Sequence, residues 1–326
     1  MRVVSGIQPT GVAHLGNYFG AFANWIELQN AGHECFYFIA NQHAITIPQN
    51  NEILKKNTLE ITAIMLAVGL DPKKSTIFIQ SDIPVHTQLS WILSCLSPIG
   101  EMERMVQFKE KSKIDPSATN LGLLSYPTLQ AADILIYKAD LVPVGIDQAQ
   151  HLELTRLLAR KFNNTYKSIF KEPKTLHTKT TKVVGLDGAA KMSKGLNNYI
   201  GLVEDEKTIW KKLSVAMTDP ARKRKTDPGN PAICNIYILH KLFSSQKDLD
   251  WVVDGCTNAK IGCIECKKKL FENIIKLTNP IREKYLKLIN NPNDLKDILS
   301  IGAKKATIIA QQTMDEVNAL VGFKYF

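Results

Sequence analysis

The sequence predicts an α/β fold with a doubly wound parallel sheet, a helical insertion and an all-helical carboxyl-terminal domain. Three observations support this fold class. Short apolar runs alternate with amphipathic helical segments from the amino terminus to about residue 203. A polar, lysine-rich stretch at residues 101–120 interrupts that alternation. Beyond Glu204 the strand patterns fade, and the chain becomes charged with helical periodicity.

The first half of the chain supplies the predicted sheet. Residues 2–7 form the first predicted strand, and a helix follows from residue 14 to about Gly32. The apolar residues at helical spacing in that helix are Leu15, Phe19, Phe22 and Ile26. Further strands are predicted at 35–40, 76–80 and 141–144, and further helices at 52–68 and around Leu154, Leu158 and Phe162. This alternation predicts a Rossmann-like sheet whose ligand lies at the carboxyl ends of the strands.

Two domains are expected from the length and the pattern. Residues 1–203 form the first, with an insertion at about 105–175, and residues 204–326 form the second. In the second domain, Pro220, Pro280 and Pro292 predict helix ends, because proline lacks the N–H that a helix interior needs.

Net charge and the distribution of apolar residues limit which classes of protein the sequence fits. Lys and Arg number 41 against 31 Asp and Glu, which gives a formal charge of +10 and suits a polyanionic partner such as RNA. The chain has no basic start followed by a long apolar run, and no stretch of the ~18 apolar residues that a membrane helix needs. We therefore expect a cytoplasmic protein without a signal peptide or a membrane span.

Two short strings carry the strongest functional signal. His14-Leu15-Gly16-Asn17 follows the first strand and opens a helix, where free N–H groups, imidazole and amide can meet a phosphate. Lys191-Met192-Ser193-Lys194-Gly195 places two ammonium groups on a glycine-flanked loop. Alone, the first string is equally a helix start and the second a solvated basic turn. Together, in this order, they indicate ATP chemistry.

These strings resemble the HIGH and KMSKS signatures of the class I aminoacyl-tRNA synthetases, with Gly195 where that family usually has serine. Three further segments resemble the bacterial tryptophanyl-tRNA synthetases, a likeness that covers nearly the whole chain: residues 5–11, residues 126–135 and residues 142–148. The spacing of Tyr126, Gln130 and Asp133 also resembles the tyrosine enzymes. Those enzymes place a tyrosine on the first strand and an aspartate on the following turn, whereas this chain has Val4 and Gln8. Tryptophan is therefore the favoured substrate.

The resemblance implies a set of site residues. Tryptophan would contact Val4, Gln8, His43, Tyr126, Gln130, Asp133, Val142, Val144 and Gln148. ATP would contact Gln8, Pro9, Thr10, Gly16, Asn17, Gly145, Ile146, Asp147, Val183, Lys191, Met192, Ser193, Lys194 and Gly195. The residues that would stabilise the transition state are His14, Asn17, Lys191 and Lys194. Asp133 would accept the indole N–H. A carboxylate among apolar residues needs such a committed partner, although a basic neighbour would also serve, and His43 is equally explained as a core histidine.

The implied reaction joins tryptophan to tRNA(Trp) through an adenylate, with ATP and Mg²⁺ as co-substrates and a homodimer as the assembly. Two rivals are kept: a small-molecule adenylyltransferase and a catalytically silent RNA-binding paralogue. The carboxyl-terminal helices argue against the first. The presence of His14, Asp133, Lys191 and Lys194 argues against the second.

Four of the six cysteines are clustered: Cys234, Cys256, Cys263 and Cys266. Four thiolates suit either a tetrahedral Zn²⁺ or a [4Fe-4S] cluster, and they could also be free buried thiols. The spacing and the neighbouring residues resemble a subgroup of bacterial tryptophanyl-tRNA synthetases that carries [4Fe-4S], which implies an iron–sulfur site. The charge run at residues 222–225 lies just before the cluster and is expected either to be solvated or to contact tRNA phosphates.

Overall fold

The computed structural model describes residues 1–114, 119–145, 148–177 and 183–324. Within these ranges the strands are β1 (Arg2–Ile7), β2 (Glu34–Ile39), β3 (Ser75–Ile79), β4 (Leu141–Val144) and β5 (Lys174–His177). All pair in parallel, in the order β3-β2-β1-β4-β5. The chain extends the sheet in one direction from β1 to β3 and then in the other from β4 to β5. The predicted α/β, Rossmann-like fold class is confirmed.

Helices make up most of the remaining described chain. Those before β5 are α1 (Leu15–Asn17), α2 (Ala23–Asn30), α3 (Asn41–Ala44), α4 (Asn51–Ala67), α5 (Val85–Leu96), α6 (Ile99–Glu103), α7 (Val106–Ile114), α8 (Leu121–Leu135) and α9 (Ala149–Thr165). Those after β5 are α10 (Glu206–Ser214), α11 (Asn235–Phe243), α12 (Gln246–Thr257), α13 (Cys263–Ile289) and α14 (Pro292–Val321). In the described residues from 204 to 324 no strand occurs, which agrees with the all-helical prediction.

The chain folds into two compact units. The first comprises Met1–Gly11, Ala23–Lys179 and Asn291–Phe326, and the second comprises Val12–Phe22 and Thr180–Asn290. These bounds differ from the expected 1–203 and 204–326, because a short segment after β1 and the last helix each belong with parts of the chain remote in sequence.

The first unit contains the sheet and its covering helices. The long helix α14 packs on β3 and α5. Gly302 permits that close approach, because a Cβ at this position would lie 1.8 Å from the Ile77 carbonyl oxygen. The predicted insertion at 105–175 contains α7 and α8, but it also contains β4, α9 and the start of β5, which belong to the sheet layer.

Two of the predicted helices differ from the structure. The helix predicted to run from residue 14 to Gly32 forms as α1, a π-helical turn (Tyr18–Phe22) and α2. Pro280 was predicted to end a helix but lies inside α13. Thr278 donates its hydroxyl to the Ile274 carbonyl at 3.2 Å. Packing of the apolar face of α13 on α10 and α11 offsets the cost of the internal proline, about 3 kcal/mol.

Candidate active site

The turn that opens α1 fixes the chemical state of His14. Its Nδ1 accepts a hydrogen bond from the Gly16 backbone N–H at 3.1 Å, and its own backbone N–H donates to Asn17 Oδ1 at 3.0 Å. Because Nδ1 is the acceptor, the proton of the neutral imidazole is assigned to Nε2. Gly16 is required here, since a Cβ would lie 2.9 Å from the His14 ring. The turn therefore presents an imidazole N–H donor.

The lysine loop at residues 191–195 belongs to the same unit and adjoins this turn. Met192 Cβ lies 3.7 Å from the Cβ position of Gly16, and the Met192 N–H donates to the Val183 carbonyl at 2.9 Å. Burial, together with the charges of Lys194 and Lys191, lowers the pKa of His14 to about 4. His14 is therefore neutral near pH 7. The two strings predicted to act together are close in space.

Lys194 is the more buried of the two loop lysines, and burial lowers its pKa to about 8. Lys191 is exposed. Two ammonium groups beside one imidazole N–H are suited to a polyphosphate, because each of these groups can donate hydrogen bonds to anionic oxygens. At Gly195 an added Cβ meets nothing within 4 Å, so the serine usual in the family would fit there.

Asn198 braces the lysine loop and was not singled out by the sequence. Its side chain is 4% exposed, and its Nδ2 donates to Asp187 Oδ2 at 2.7 Å and to the Lys191 carbonyl at 3.3 Å. Its Oδ1 accepts the Ser193 backbone N–H at 2.7 Å. The Asn198 amide thus connects the Lys191 carbonyl and the Ser193 N–H to the Asp187 carboxylate. Asn198 and Asp187 therefore fix the backbone on either side of Met192.

A reciprocal exchange tests this brace. In Asn198→Asp two carboxylates face each other, so we expect the rate of adenylate formation in single turnovers to fall by roughly tenfold, the worth of one charge-assisted hydrogen bond. Asp187→Asn combined with Asn198→Asp restores a donor opposite an acceptor and retains an acceptor for Ser193, although the Lys191 carbonyl still lacks its donor. We expect the double variant to recover part of the rate. A double variant as slow as Asn198→Asp would contradict the brace.

The first unit contains a buried carboxylate on α8. Asp133 is 1% exposed and lies within hydrogen-bond distance of three side-chain donors. His86 Nδ1 is 2.6 Å from Oδ1, His43 Nε2 is 2.7 Å from Oδ2, and Gln80 Nε2 is 2.9 Å from both oxygens. Burial raises the pKa of Asp133, but the hydrogen bonds from His43 and His86 outweigh that effect and hold the pKa at about 2. The carboxylate is ionised at neutral pH.

Tyr126 lies on α8 two turns before Asp133, and Gln130 lies between them. The Tyr126 hydroxyl is 2.6 Å from His151 Nε2 and donates to Gln107 Oε1 at 3.0 Å. Burial raises the pKa of Tyr126, so its hydroxyl stays protonated. The rings of His43 and Tyr126 meet edge to face at 6.2 Å. The structure therefore brings together three of the predicted tryptophan contacts: His43, Tyr126 and Asp133.

The other predicted contacts are less closely defined. Val4 and Val142 are buried in one apolar cluster, against which Val144 packs half-buried. Gln8 and Thr10 are exposed after β1 and Pro9 is buried, while Gly145, Gln148 and Gln130 are half-buried. Ile146 and Asp147 lie outside the described residues. The substrate roles of all these residues stay predictions.

Three members of the carboxylate network were missed by sequence reasoning: Gln80, His86 and Tyr137. The one available signal was Asp133 itself, because a carboxylate in an apolar helix requires buried donors. Nothing in the spacing indicated which of seven histidines would supply them.

The four clustered cysteines line one cavity in the second unit: Cys234, Cys256, Cys263 and Cys266. Burial, reinforced by repulsion from the other three sulfurs, raises the pKa of Cys266 to about 12. In the described chain no three His, Cys, Asp or Glu side chains are arranged to hold a metal ion. The four thiols therefore line the same cavity, but their sulfur atoms are not arranged as a metal coordination shell.

Arg222 is not part of a solvated basic surface, contrary to expectation. It is 8% exposed and its Nη2 donates to the carbonyls of Ile261 at 2.6 Å and Lys225 at 2.8 Å. Its Nη1 lies 3.6 Å from Cys256 Sγ. Lys223, Arg224 and Lys225 are exposed. The run therefore divides into three solvated cations and one cation buried against the thiols.

Across the described residues, none of the helices is both long enough and apolar enough to cross a membrane.

Comparison with known proteins agrees with this arrangement. A family model for class I tRNA synthetases (W and Y) matches residues 1–279. The chain is 48% identical to a tryptophan–tRNA ligase of Deinococcus radiodurans, over 99% of this chain and 98% of that one. It is 43% identical to a tryptophan–tRNA ligase of Thermotoga maritima, over 100% of both.

Among solved structures, tryptophanyl-tRNA synthetase from Campylobacter jejuni, complexed with ADP and tryptophan, superposes with a TM-score of 0.90 at 40% identity. The match covers 99% of this chain and 100% of that chain. The chain therefore belongs to the class I tRNA synthetases, in the family of the tryptophan and tyrosine enzymes. Within that family, the full-length relatives named above are tryptophan enzymes.

Proposed function

We propose that the chain activates L-tryptophan with ATP and transfers the tryptophanyl group to tRNA(Trp). The observation that carries this proposal is the buried, ionised Asp133 on α8, in a chain whose full-length relatives are tryptophan–tRNA ligases. The polyphosphate site formed by His14, Lys191 and Lys194 supports the use of ATP, as does the ADP bound to the Campylobacter jejuni enzyme.

The reaction needs no nucleophile from the protein. The tryptophan carboxylate attacks the α-phosphorus of ATP in line, the bond to the bridging oxygen breaks, and pyrophosphate leaves with Mg²⁺. The 3′-terminal ribose of tRNA then attacks the adenylate carbonyl, and AMP leaves. Lys194, Lys191 and the His14 Nε2–H stabilise the charge on the transferring phosphate groups, and Asn17 holds His14 in place.

Tryptophan is selected through its indole N–H, which donates a hydrogen bond to the ionised Asp133 carboxylate. The Asp133 carboxylate has about four lone-pair positions, and His43, His86 and Gln80 make four contacts with it. The indole N–H therefore replaces one donor. His43 is the one that yields, because it lies on the four-residue α3 and is 8% exposed, whereas His86 and Gln80 are fully buried.

Further parts of the proposal concern assembly and tRNA. The enzyme acts as a homodimer in the cytoplasm, and the helices α10–α13 contribute tRNA contacts. The net charge of +10 and the exposed Lys223, Arg224 and Lys225 support an anionic partner. The test is aminoacylation: purified protein should charge tRNA(Trp) with tryptophan and leave tRNA(Tyr) uncharged with tyrosine. Charging of tRNA(Tyr) alone would overturn the assignment.

The cysteine cavity is proposed to hold [4Fe-4S], with Zn²⁺ as the alternative. The residues around it fit an anionic centre. Arg222 Nε is buried without a hydrogen-bond partner in the described chain, and Lys267, 5% exposed, donates from Nζ to the Ser214 carbonyl at 2.7 Å. Four thiolates on either metal centre give a net charge near −2, which two buried cations offset. When bound, the centre would tie Cys234 to α12 and α13.

Replacing one ligand tests the cluster separately from catalysis. Cys263→Ser should lose bound iron and sulfide and weaken tRNA charging, because the segment around Cys234 loses its tie to α13. Tryptophan-dependent ATP–pyrophosphate exchange should survive, since the lysine loop is not among the groups lining the cavity. Cys95→Ser, at an exposed position on α5, is the matched control and should retain the metal.

Metal analysis of anaerobically purified protein decides between the alternatives. Iron and sulfide in equal amounts would support [4Fe-4S]. Stoichiometric zinc without sulfide would show a structural zinc site, and absence of both metals would return the four cysteines to free thiols.

A further inference from the structure

Three buried side chains of the first unit, those of Asp133, His86 and Tyr137, are connected in series by hydrogen bonds. His86 Nδ1 is 2.6 Å from Asp133 Oδ1, and His86 Nε2 is 2.7 Å from the Tyr137 hydroxyl. His86 and Tyr137 are fully buried. Because an ionised carboxylate only accepts hydrogen bonds, His86 donates from Nδ1, and its Nε2 accepts the Tyr137 O–H.

Aromatic packing fixes the orientation of the His86 ring. Its centroid lies 6.1 Å from that of Phe38, 6.2 Å from that of Phe78 and 5.4 Å from that of Tyr137, each in a steeply inclined contact. Burial, and the charge of Asp133, raise the pKa of Tyr137 and keep its hydroxyl a donor. The imidazole can neither turn nor change tautomer without breaking a buried hydrogen bond.

The two oxygens of Asp133 consequently differ. Oδ1 is held by the immobile His86, whereas Oδ2 is held by His43, which lies on the short α3 and retains some exposure. Gln80 bridges both oxygens and is itself held, because its Oε1 accepts the Gln42 backbone N–H at 3.1 Å. One oxygen is an anchor and the other is exchangeable.

We propose that His86 is a specificity-determining positioning residue, which anchors Asp133 Oδ1 so that Oδ2 faces the indole N–H of tryptophan when that group replaces His43. Tyr137 serves the same end by fixing the tautomer of His86. This inference rests on the proposed function, in which Asp133 accepts the indole N–H. Without His86 only Gln80 restrains rotation of the carboxylate about χ2, and an acceptor pointing in the wrong direction loses most of its hydrogen-bond energy.

A tryptophan analogue separates this role from a merely structural one. In 3-benzothienylalanine a sulfur replaces the indole N–H, so the donor is absent while the bicyclic shape is kept. The readout is the ratio of kcat/KM for tryptophan to kcat/KM for the analogue in ATP–pyrophosphate exchange. Both values come from one preparation, so partial unfolding of a variant cancels. The wild type should favour tryptophan by roughly 10- to 100-fold, the worth of a hydrogen bond to a charged group.

Three variants then test the anchor. His86→Leu removes the donor to Oδ1 and should lower the ratio by about tenfold. His86→Asn places an amide nitrogen near the position of Nδ1 and should retain most of the wild-type ratio. Tyr137→Phe removes only the hydroxyl and should lower the ratio by roughly fivefold, which keeps the test open if His86→Leu does not fold.

The outcomes separate the two proposals. A wild-type ratio near one would overturn the assignment of Asp133 as the indole acceptor. A wild-type ratio in the expected range that is unchanged in Tyr137→Phe, and in His86→Leu where it folds, would overturn the role of His86 while leaving that of Asp133 in place.

Discussion

Replacing Lys194 with alanine should slow tryptophanyl-adenylate formation by about 100- to 1000-fold while changing tryptophan binding little. The lysine loop carries this ammonium beside His14, whose pKa is lowered by burial and then by the charges of Lys194 and Lys191. Its charge matters most when negative charge shifts onto pyrophosphate in the transition state. The measurement is the single-turnover rate of adenylate formation at saturating tryptophan. A near-normal rate would show that the loop is not catalytic.

The pH dependence of kcat/KM for ATP provides a second test of Lys194. Because burial lowers the pKa of Lys194 to about 8, the ammonium loses its proton as pH rises through that value. The wild-type kcat/KM for ATP should therefore decline above about pH 8. In Lys194→Arg the guanidinium stays charged, so that decline should be absent even though the overall rate is lower. An identical decline in wild type and Lys194→Arg would assign it to another group.

Asp133→Ala should lower kcat/KM for tryptophan by about 100-fold, because the indole N–H loses a charged acceptor. The change also leaves His43, His86 and Gln80 donating to nothing, and each stranded buried donor costs roughly 1–3 kcal/mol of unfolding free energy. Substrate kinetics and thermal unfolding are therefore measured on the same preparation.

Asp133→Asn is the matched control, because it keeps the shape and one acceptor oxygen but removes the charge. Its kcat/KM for tryptophan should lie between those of the wild type and Asp133→Ala. An alanine variant that is less stable but uses tryptophan normally would place Asp133 in the core network and outside the substrate site.

Local pattern was sufficient for most of the sheet. Buried runs such as β2 (Glu34–Ile39) and β4 (Leu141–Val144) are continuous and short, and the structure contains both within a residue of their predicted bounds. Pro280 was misjudged because proline opposes a helix locally, whereas the packing of α13 acts at long range. The docking of α14 on β3 depends on Gly302 meeting Ile77, a contact that no periodicity encodes.

In the candidate site, too, local sequence pattern identified some residues and missed those whose partners are distant in sequence. Residues within a contiguous string, such as His14 and Lys194, could be predicted because the string itself is the signal. His86 and Asn198 could not, because each acts through a partner brought near by folding. His86 meets Asp133 across 47 positions of sequence. The charge of its neighbours predicts an Arg222 that is either solvated or in contact with tRNA phosphates, yet its guanidinium donates to the backbone carbonyls of Lys225 and Ile261 and is buried.

Amino-acid-dependent ATP–pyrophosphate exchange shows which amino acid the protein activates. Purified protein is assayed with ATP, Mg²⁺ and labelled pyrophosphate against each of the twenty amino acids, without tRNA. We expect exchange with tryptophan far above that with any other amino acid, tyrosine included. Exchange that is strongest with tyrosine, or that is independent of any amino acid, would contradict it.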